Sequence, residues 1–262
     1  EKLGNHVSDL QNIIDGKSAF SEILKKAEKP MLILGSDIVL REDGEAILNN
    51  VKKIAEKFNL IQDDWNGFNF LAKSTGLING LEVGFTSDNT KNDVHSILDK
   101  AASGEVKTVF LHGVDEDINF SKLKDAFVIY IGSHGDNGAH HADVILPTCA
   151  YSEKEATYVN LEGRPQVTSR AVFAQGEARE DWQVIVELAQ NLNIDLGYNN
   201  LDDLRKALIE NHSAFAVLDS VTKADWVNSD KSSDKMNEKE LLVKDYDFYL
   251  TNVIARSSRT LS

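Results

Sequence analysis

The chain alternates short apolar runs with segments whose apolar residues recur at helical spacing. Residues 31–34, 107–111 and 127–131 form such runs, and each run is closed by a glycine within two residues. Runs bounded in this way are typical of strands buried on both faces of a parallel sheet. Because strands and helices alternate, the connections should be right-handed crossovers. The pattern therefore predicts an α/β fold with a doubly wound, Rossmann-like parallel sheet.

Helical spacing predicts the segments that connect and follow these strands. Helices are expected at residues 18–29, 44–58, 94–102, 181–191 and 201–211, with a helical connection at 120–126. Residues 67–84 carry four glycines and no clean period, which predicts an irregular, contact-making stretch. A further short strand is expected at 144–147 and a β segment at 158–167.

The changes in composition predict three regions. Residues 228–240 are polar and charged and form the best candidate for a linker. We therefore expect a Rossmann-like α/β domain at 1–150, its continuation with a β segment and helices at 151–227, and a linker with a C-terminal docking tail at 228–262.

The charge balance limits the class of partner. Acidic residues outnumber basic ones 42 to 28, which gives a formal net charge of −14. A surface of that sign repels the phosphate backbone of nucleic acids and anionic lipid headgroups. We therefore expect neither nucleic acid nor direct membrane insertion, and no apolar run approaches the roughly 20 residues that span a bilayer.

A single cysteine, Cys149, limits the metal chemistry of this chain. Iron–sulfur clusters are normally held by four cysteine thiolates, so this chain alone is not expected to hold one. Structural zinc built on cysteines is excluded for the same reason. The chain opens at Glu1 without Met and without a signal-peptide pattern, and we expect it to be part of a larger protein.

A glycine-rich loop follows the predicted strand at 127–131. Gly132, Gly135 and Gly138 are spaced by three, which differs from the GxGxxG dinucleotide fingerprint. Glycines at the carboxyl end of a parallel strand let backbone N–H groups approach a phosphate. From the spacing alone, a tight turn without a ligand is the favoured interpretation.

The residues after this loop carry a family resemblance. Ala-Asp-Val-Ile-Leu-Pro ends at Pro147, Thr-x-x-Asn-x-Glu-Gly-Arg-x-Gln ends at Gln166, and Gly-x-Ala-Arg-x-Asp-Trp ends at Trp182. Together these blocks resemble the molybdopterin oxidoreductase family, of the formate dehydrogenase and DMSO reductase type. Within that family, the loop at 130–139 looks like that of the large iron–sulfur subunits of respiratory complex I, the NADH:quinone oxidoreductase.

The resemblance implies a fold, a parent complex and a location. Catalytic members of the family cradle a pterin guanine dinucleotide in this region, whereas the complex I subunits keep the fold without that cofactor. The implied 4Fe-4S and 2Fe-2S clusters belong to an N-terminal region outside this chain. The implied partners are other peripheral-arm subunits, on the cytoplasmic side of a bacterial inner membrane or the matrix side of the mitochondrial inner membrane.

The resemblance also implies that the cofactor loop is vestigial. The residues that would mark it are Gly132, Gly135, Gly138, Glu162, Gly163 and Arg164. Ala156 stands where family members commonly have glycine, and Cys149 stands where a small residue is usual. The neighbours of Cys149 in sequence supply no activating base, which predicts an inert thiol. We therefore expect no catalytic residue and no bound cofactor in this chain.

Other polar groups carry weaker hypotheses. His134, His140 and His141 could suggest a metal site, although adjacent histidines point apart and a hydrogen-bonded loop is favoured. Glu153, Glu155 and Glu162 could act as an acid–base pair, but a structural role with Arg164 or Arg170 is preferred.

Two functional alternatives remain open beside the complex I scaffold. One is part of a catalytic molybdopterin enzyme such as a formate dehydrogenase. The other is a nucleotide-binding module that uses residues 132–138.

Overall fold

The computed structural model describes residues 2–87, 92–229, 236–242 and 249–261. These residues divide into two compact units. Unit 1 contains residues 2–78, 160–163, 221–229 and 236–242, and unit 2 contains 79–87, 92–159, 164–220 and 249–261. No helix within these described ranges combines the length and the apolar character needed to cross a bilayer.

Unit 1 begins with two short helices whose ends are set by local signals. The first ends at Gly16, which adopts the left-handed conformation at φ 76°. The second begins after Ser18, whose side chain accepts a hydrogen bond from the Phe20 backbone N–H at 3.3 Å. The elements of this unit are α1 (Val7–Asp15), α2 (Ala19–Lys26), β1 (Leu32–Gly35), α3 (Ser36–Val39), α4 (Gly44–Lys57), β2 (Ile61–Gln62), β3 (Trp65–Asn66) and β4 (Phe68–Leu71).

The core of unit 1 lies between α4 and a two-stranded parallel sheet. β1 pairs with β4 in parallel, and β2 pairs with β3 as an antiparallel ribbon. The apolar face of α4 buries Ile47, Val51 and Ile54 against this sheet. The helix predicted at 44–58 is therefore confirmed, and its helical apolar spacing is the reason it packs here.

The prediction that residues 67–84 are irregular is wrong in part. This stretch contains β4 and a further helix, α5 (Thr75–Glu82). Glycine has a packing role in it, because an ideal Cβ on Gly67 would lie 2.7 Å from Trp65 Nε1 and 2.8 Å from the Leu60 carbonyl oxygen. The expected contacts are confirmed by Asn79, whose amide nitrogen donates to the Thr157 carbonyl oxygen at 3.0 Å.

The two described ends of the predicted linker at 228–240 are hydrogen-bonded within unit 1. The Ser229 hydroxyl donates to Glu56 at 2.8 Å, and the Asn237 backbone N–H donates to Asp43 at 3.0 Å. Arg41 donates to the Asn237 side chain at 2.9 Å. Residues 230–235 of this linker, and residues 243–248 and 262 of the predicted region that follows it, lie outside the described residues.

Unit 2 is larger and contains the glycine-rich loop at residues 132–138. Its elements are α6 (Val94–Ala102), β5 (Thr108–His112), β6 (Phe127–Gly132), α7 (Asn137–His140), β7 (Val144–Pro147), β8 (Ala156–Val159), β9 (Pro165–Thr168), α8 (Asp181–Asn191), α9 (Leu201–Asn211) and α10 (Val253–Arg256). The connection predicted to be helical at 120–126 is a shorter 3-10 turn, Phe120–Leu123. Helices predicted at 94–102, 181–191 and 201–211 are confirmed.

The sheet of unit 2 has three parallel strands in the order β5-β6-β7. One face of this sheet packs against α6 through Leu98 and Ala101, and its core includes the fully buried Val128 and Tyr130. β8 and β9 form an antiparallel hairpin. The α/β class with parallel sheets is thus confirmed, and the described parallel strands belong to two sheets, one in each unit.

Candidate functional site at the carboxyl edge of the three-stranded sheet

The carboxyl ends of β5, β6 and β7 open onto a cavity of about 250 Å³. This is the edge at which open α/β sheets bind ligands. β5 ends just before Gly113, which adopts the left-handed conformation at φ 61° and lines this cavity. The cavity is lined by His112, Gly132, Thr148, Cys149, Lys154 and Asp181, with six further residues around them.

A carboxylate between two basic side chains forms the polar part of this cavity. Asp181 is the first residue of α8, and its Oδ1 lies 2.9 Å from Nε2 of His112 at the end of β5. Its Oδ2 accepts a hydrogen bond from Lys154 Nζ. Burial opposes ionisation of Asp181, but the hydrogen bonds from His112 and Lys154 outweigh it and lower the pKa to about 2. The carboxylate therefore stays ionised and is engaged by its own neighbours.

Cys149 lies in the same cavity wall, yet it is only 4% exposed. Burial raises the pKa of its thiol, and the nearby Glu153 and Glu180 carboxylates raise it further. A nucleophilic cysteine needs a lowered pKa and an accessible sulfur. The buried position and the raised pKa of Cys149 therefore favour its interpretation as an inert thiol.

The glycine loop beside this cavity is packed from within by Tyr130. An ideal Cβ on Gly132 would lie 2.5 Å from Tyr130 Cζ, and one on Gly138 would lie 2.7 Å from Tyr130 Cε2. Tyr130 is fully buried in the core, so its ring is surrounded by packed neighbours. Gly135 differs from both, because nothing lies within 4 Å of a Cβ added there. Two of the three loop glycines are thus required by the tyrosine ring.

Asp115 joins the tyrosine to the loop backbone. Its Oδ2 accepts a hydrogen bond from the Tyr130 hydroxyl at 2.8 Å, and its Oδ1 accepts one from the Gly138 backbone N–H at 2.9 Å. Burial of the phenol and its bond to the Asp115 carboxylate raise the pKa of Tyr130 far above the usual range. The loop therefore uses one of its N–H groups, and the space beside two of its glycines, for internal contacts.

A short helix of the tail contacts the outside of the same loop. Asn252 caps α10, the helix that ends at Arg256, by accepting a hydrogen bond from the Ala255 backbone N–H at 2.9 Å. Arg256 Nε donates to Asp136 of the loop at 2.7 Å, and its Nη1 lies 2.7 Å from Glu116. The guanidinium thus forms charge-assisted contacts with two carboxylates that flank the loop.

These contacts do not fit a phosphate of a pterin dinucleotide at the loop. A phosphate cradle needs free backbone N–H groups and positive charge. Here the Gly138 N–H is bonded to Asp115, and the carboxylates of Asp115, Glu116 and Asp136 surround the loop. The cation in contact with them, Arg256, is bonded to two of the three. Negative charge arriving at this place would be repelled.

The other residues predicted to mark the vestigial site lie around the β8–β9 hairpin. The turn between the strands contains Glu162 and Gly163, and Gly163 adopts φ 81°. The Glu162 backbone N–H donates to Asn160 Oδ1 at 2.9 Å. Arg164 Nη1 donates to the Asp219 carbonyl oxygen at 2.5 Å. Glu162 and Gly163 are grouped with unit 1, whereas the 132–138 loop and Arg164 belong to unit 2.

For Glu155, the predicted pairing with Arg164 or Arg170 is wrong. Glu155 pairs with Arg205 of α9, whose Nη1 lies 3.5 Å away. Glu153 instead caps the backbone, because its carboxylate accepts from the Ala150 N–H at 2.9 Å. The sequence places Arg205 some 50 residues beyond Glu155, so only the packing of α9 could reveal this pair.

Two of the three histidines in the predicted cluster, His134 and His141, have separate partners. His134 Nδ1 lies 2.9 Å from the Ser133 hydroxyl, and His141 stacks on Phe120 with ring centroids 4.4 Å apart. Among the residues that the structure describes, no three His, Cys, Asp or Glu side chains are grouped so that they could hold a metal ion.

Sequence reasoning missed the cluster of His112, Lys154 and Asp181. His112 could have been found, because it directly follows the strand predicted at 107–111, at the edge where ligand sites form. Asp181 follows it by 69 residues and Lys154 by 42, so their meeting depends on the fold. The sequence pattern assigns Tyr130 to the strand alone and gives no sign of its role under the loop glycines.

Comparison with known sequences adds a family to this geometry. The sequence model of the molybdopterin oxidoreductase family matches residues 1–191, and that of the C-terminal region of the NADH-ubiquinone oxidoreductase G subunit matches residues 212–262. Both matches agree with the resemblance predicted from the blocks between residues 127 and 182.

Two relatives show how far the similarity extends. The NADH-quinone oxidoreductase G subunit of Rickettsia typhi is 38% identical over 260 residues, which cover 99% of this chain and 36% of the relative. The NADH-ubiquinone oxidoreductase 75 kDa subunit of Reclinomonas americana is 38% identical over 264 residues, which cover 100% of this chain and 38% of the relative. The chain therefore spans little more than a third of the length of these relatives.

Proposed function

Because this chain belongs to the molybdopterin oxidoreductase family, we propose that it is a cofactor-free scaffold within the large iron–sulfur subunit of NADH:quinone oxidoreductase. In this proposal the chain is the C-terminal region of a longer polypeptide, as long as the Rickettsia typhi relative. That polypeptide carries electrons from NADH through iron–sulfur clusters toward quinone. The region described by this structure performs no chemical step and holds its neighbours in place.

The match of residues 212–262 to the C-terminal region of the NADH-ubiquinone oxidoreductase G subunit carries the proposal. Residues 1–191 match a family model that also describes molybdopterin enzymes, so they do not separate the scaffold from a catalytic member. The match of residues 212–262 favours the scaffold over a catalytic member. This stretch also contains Arg256, which bonds to the carboxylates flanking the glycine loop.

The contacts of the loop support the absence of a cofactor in this region. Tyr130 fills the space beside Gly132 and Gly138, and carboxylates flank the backbone where a phosphate would need positive charge. We therefore interpret Gly132, Gly135 and Gly138, together with Glu162, Gly163 and Arg164, as the remnant of an ancestral cofactor site. The expected 4Fe-4S and 2Fe-2S clusters are assigned to the rest of the longer polypeptide, since Cys149 alone cannot supply four thiolates.

The partners follow from the same assignment. We propose that the chain contacts other peripheral-arm subunits of complex I and does not bind nucleic acid. Its expected location is the cytoplasmic side of a bacterial inner membrane, or the matrix side of the mitochondrial inner membrane. The three predicted regions, 1–150, 151–227 and 228–262, remain our proposed division of the sequence.

Metal analysis of two purified proteins tests this function. The 262-residue chain should contain neither iron, acid-labile sulfide nor molybdenum, whereas the longer polypeptide should contain iron and sulfide but no molybdenum. The affinity-tagged longer polypeptide should also copurify with NADH:quinone reductase activity. Iron and sulfide in the 262-residue chain would contradict the scaffold assignment.

The same preparations separate the alternatives. Molybdenum with pterin fluorescence in the longer polypeptide would favour a catalytic enzyme such as a formate dehydrogenase. Micromolar binding of a guanine or adenine dinucleotide to the 262-residue chain, measured by calorimetry, would favour the nucleotide-binding module. In that case Gly138→Ala should abolish binding and Gly135→Ala, which meets no neighbour, should preserve it.

A further inference from the structure

A second cavity of unit 2 lies between the start of β8, the start of α8 and one face of α9. Its volume is about 300 Å³, and it shares two residues, Lys154 and Asp181, with the cavity at the carboxyl edge of the sheet. All of its lining residues belong to unit 2. We call this cavity the α9 groove, and its lining includes Trp182, Leu201, Leu204, Arg205 and Leu208, with six further residues around them.

The wall that α9 contributes is apolar. Leu201, Leu204 and Leu208 recur at helical spacing, which places them on one face of the helix. An amphipathic helix normally buries such a row, yet none of the residues of α9 is fully buried. Trp182 adds an aromatic surface, because its indole N–H already donates to Glu180 at 2.9 Å. The groove thus presents apolar surface that the described part of the chain covers only in part.

Arg205 supplies a polar group with unused hydrogen-bonding capacity. Its Nη1 lies 3.5 Å from a carboxylate oxygen of Glu155. Its Nε and Nη2 are shielded from water and have no hydrogen-bond partner among the described residues. These two nitrogens share one edge of the planar guanidinium, and their N–H groups point the same way. Because a buried donor without an acceptor is unfavourable, this edge requires a partner that the described residues do not provide.

The contact that holds the guanidinium in place is loose. Charge-assisted hydrogen bonds from arginine to a carboxylate are about 2.7–2.9 Å long, whereas the Arg205–Glu155 contact is 3.5 Å. The Glu155 side chain is also 45% exposed, so water competes for its carboxylate. The guanidinium can therefore turn about its terminal torsions and present its free edge to the groove that it lines.

Size and charge limit the ligand that this groove accepts. Small-molecule pockets have volumes of about 300–1,000 Å³, so the groove lies at the lower limit of that range and is too small for a dinucleotide. Three carboxylates line it, those of Glu155, Glu180 and Asp181. The cations in its wall are Lys154 and Arg205. An anionic ligand would therefore be repelled, and a cationic ligand would offer no acceptor to the guanidinium edge.

We propose that the α9 groove binds a small neutral ligand with an aliphatic chain and a carbonyl or carboxamide oxygen. The chain packs against the leucine row of α9, which removes apolar surface from water. The oxygen accepts hydrogen bonds from Nε and Nη2 of Arg205. A concave apolar pocket with a few convergent polar groups is the usual form of a small-molecule site. This site goes beyond the scaffold function and does not depend on it.

Titration of the 262-residue chain with hexanamide tests the proposal. The chain is labelled with 5-fluorotryptophan, and its three tryptophans give three signals in ¹⁹F NMR. Trp182 lies in the groove, whereas Trp65 and Trp226 belong to unit 1 and serve as internal controls. The Trp182 signal, assigned with Trp182→Phe, should shift saturably with a Kd on the order of 10 mM. Equal shifts of all three signals, or no saturation, would overturn the proposal.

Two variants of neighbouring residues test the role of the guanidinium edge. Arg205→Lys keeps the positive charge but removes the pair of parallel donors, and should raise the Kd for hexanamide at least fivefold. Lys206→Gln, at the next and exposed position of α9, is the matched control and should leave the Kd within twofold of wild type. Circular dichroism confirms that both variants are folded. An unchanged Kd in folded Arg205→Lys would contradict the assigned contact.

A ligand series on the wild-type chain tests the same site without any substitution. Hexanoate has the same chain length and a negative charge, and should bind at least fivefold more weakly than hexanamide. Acetamide keeps the oxygen but lacks the aliphatic chain, and should give no saturable shift at the same concentrations. Equal binding of hexanoate or of acetamide would overturn the proposed ligand class. A Trp182 shift that follows the concentration of the chain alone would assign the groove to a second copy and overturn the proposal.

Discussion

The carboxyl edge of the three-stranded sheet has two neighbouring regions that differ in how they are occupied. The glycine loop is filled by the Tyr130 ring and contacted from outside by Arg256. The adjacent cavity of about 250 Å³ stays open, and its carboxylate, Asp181, is neutralised by His112 and Lys154. The difference shows that one part of this edge is filled by packing, whereas the other stays open with its carboxylate paired to neighbouring side chains.

The tight packing of the loop predicts the largest effect. Gly138→Ala should lower the free energy of unfolding by about 3 kcal/mol, because the added methyl overlaps both Tyr130 and the Val114 carbonyl oxygen. Gly135→Ala is the matched control in the same loop and should change it by less than about 0.5 kcal/mol. Urea unfolding of the 262-residue chain measures both values. Equal losses in the two variants would show that Tyr130 does not fill the loop.

The charge pairing in the open cavity predicts a smaller effect that depends on pH. Asp181 has a pKa lowered from 3.8 to about 2 in the folded chain. Its contribution to stability is therefore present above pH 4 and is lost as the pH falls toward 2. Asp181→Asn should lower the free energy of unfolding by about 2 kcal/mol at pH 6.

The same variant provides the pH test. The difference between wild type and Asp181→Asn should shrink between pH 4 and pH 2, as measured by urea unfolding at each pH. Asp125→Asn, at an exposed position of the same unit, should cost less than about 0.5 kcal/mol at pH 6. A difference for Asp181→Asn that does not change with pH would exclude the charge pairing as its cause.

The tail contact predicts a local effect. Arg256→Gln removes the ion pairs with Asp136 and Glu116, and should destabilise residues 249–261 by about 1 kcal/mol. Amide hydrogen exchange in α10 should become roughly fivefold faster, with little change in global unfolding. Arg259→Gln, at an exposed position three residues later, should leave the exchange rates unchanged. Unchanged exchange in Arg256→Gln would mean that the tail is held by other contacts.

The buried thiol predicts the smallest effect. Cys149→Ala should lower the free energy of unfolding by less than about 1 kcal/mol, since it removes one small apolar atom from a packed wall. In the native chain, Cys149 should react with a disulfide reagent at least tenfold more slowly than in urea. Rapid reaction of the native thiol would contradict its burial.

Sequence reasoning predicted most helices and strands of unit 2 because their signals are local. The helical spacing of apolar residues at 94–102 and 181–191 coincides with α6 and α8. It failed where signals were short or conflicting. β4 is only four residues long, and α5 contains Gly76 and Gly80, which lower helix propensity.

The candidate site was predictable only in part. The glycines were found because a strand followed by glycines is a local pattern, but the reason for them was not. Only the fold shows that Tyr130 turns its ring under Gly132 and Gly138, and that Asp115 joins the two. The pairing of Glu155 was assigned to the wrong arginines for the same reason, since its partner Arg205 lies on a distant helix.

By itself, the sequence determined the α/β class, the family and the absence of a cysteine set for an iron–sulfur cluster, because periodicity, motifs and composition are read along the chain. The tertiary structure decided which side chains meet. His112, Lys154 and Asp181 converge at one edge, and Arg256 reaches Asp136 across 120 residues. Such contacts depend on the packing of distant segments, and their energies arise only when folding brings the groups within hydrogen-bond distance.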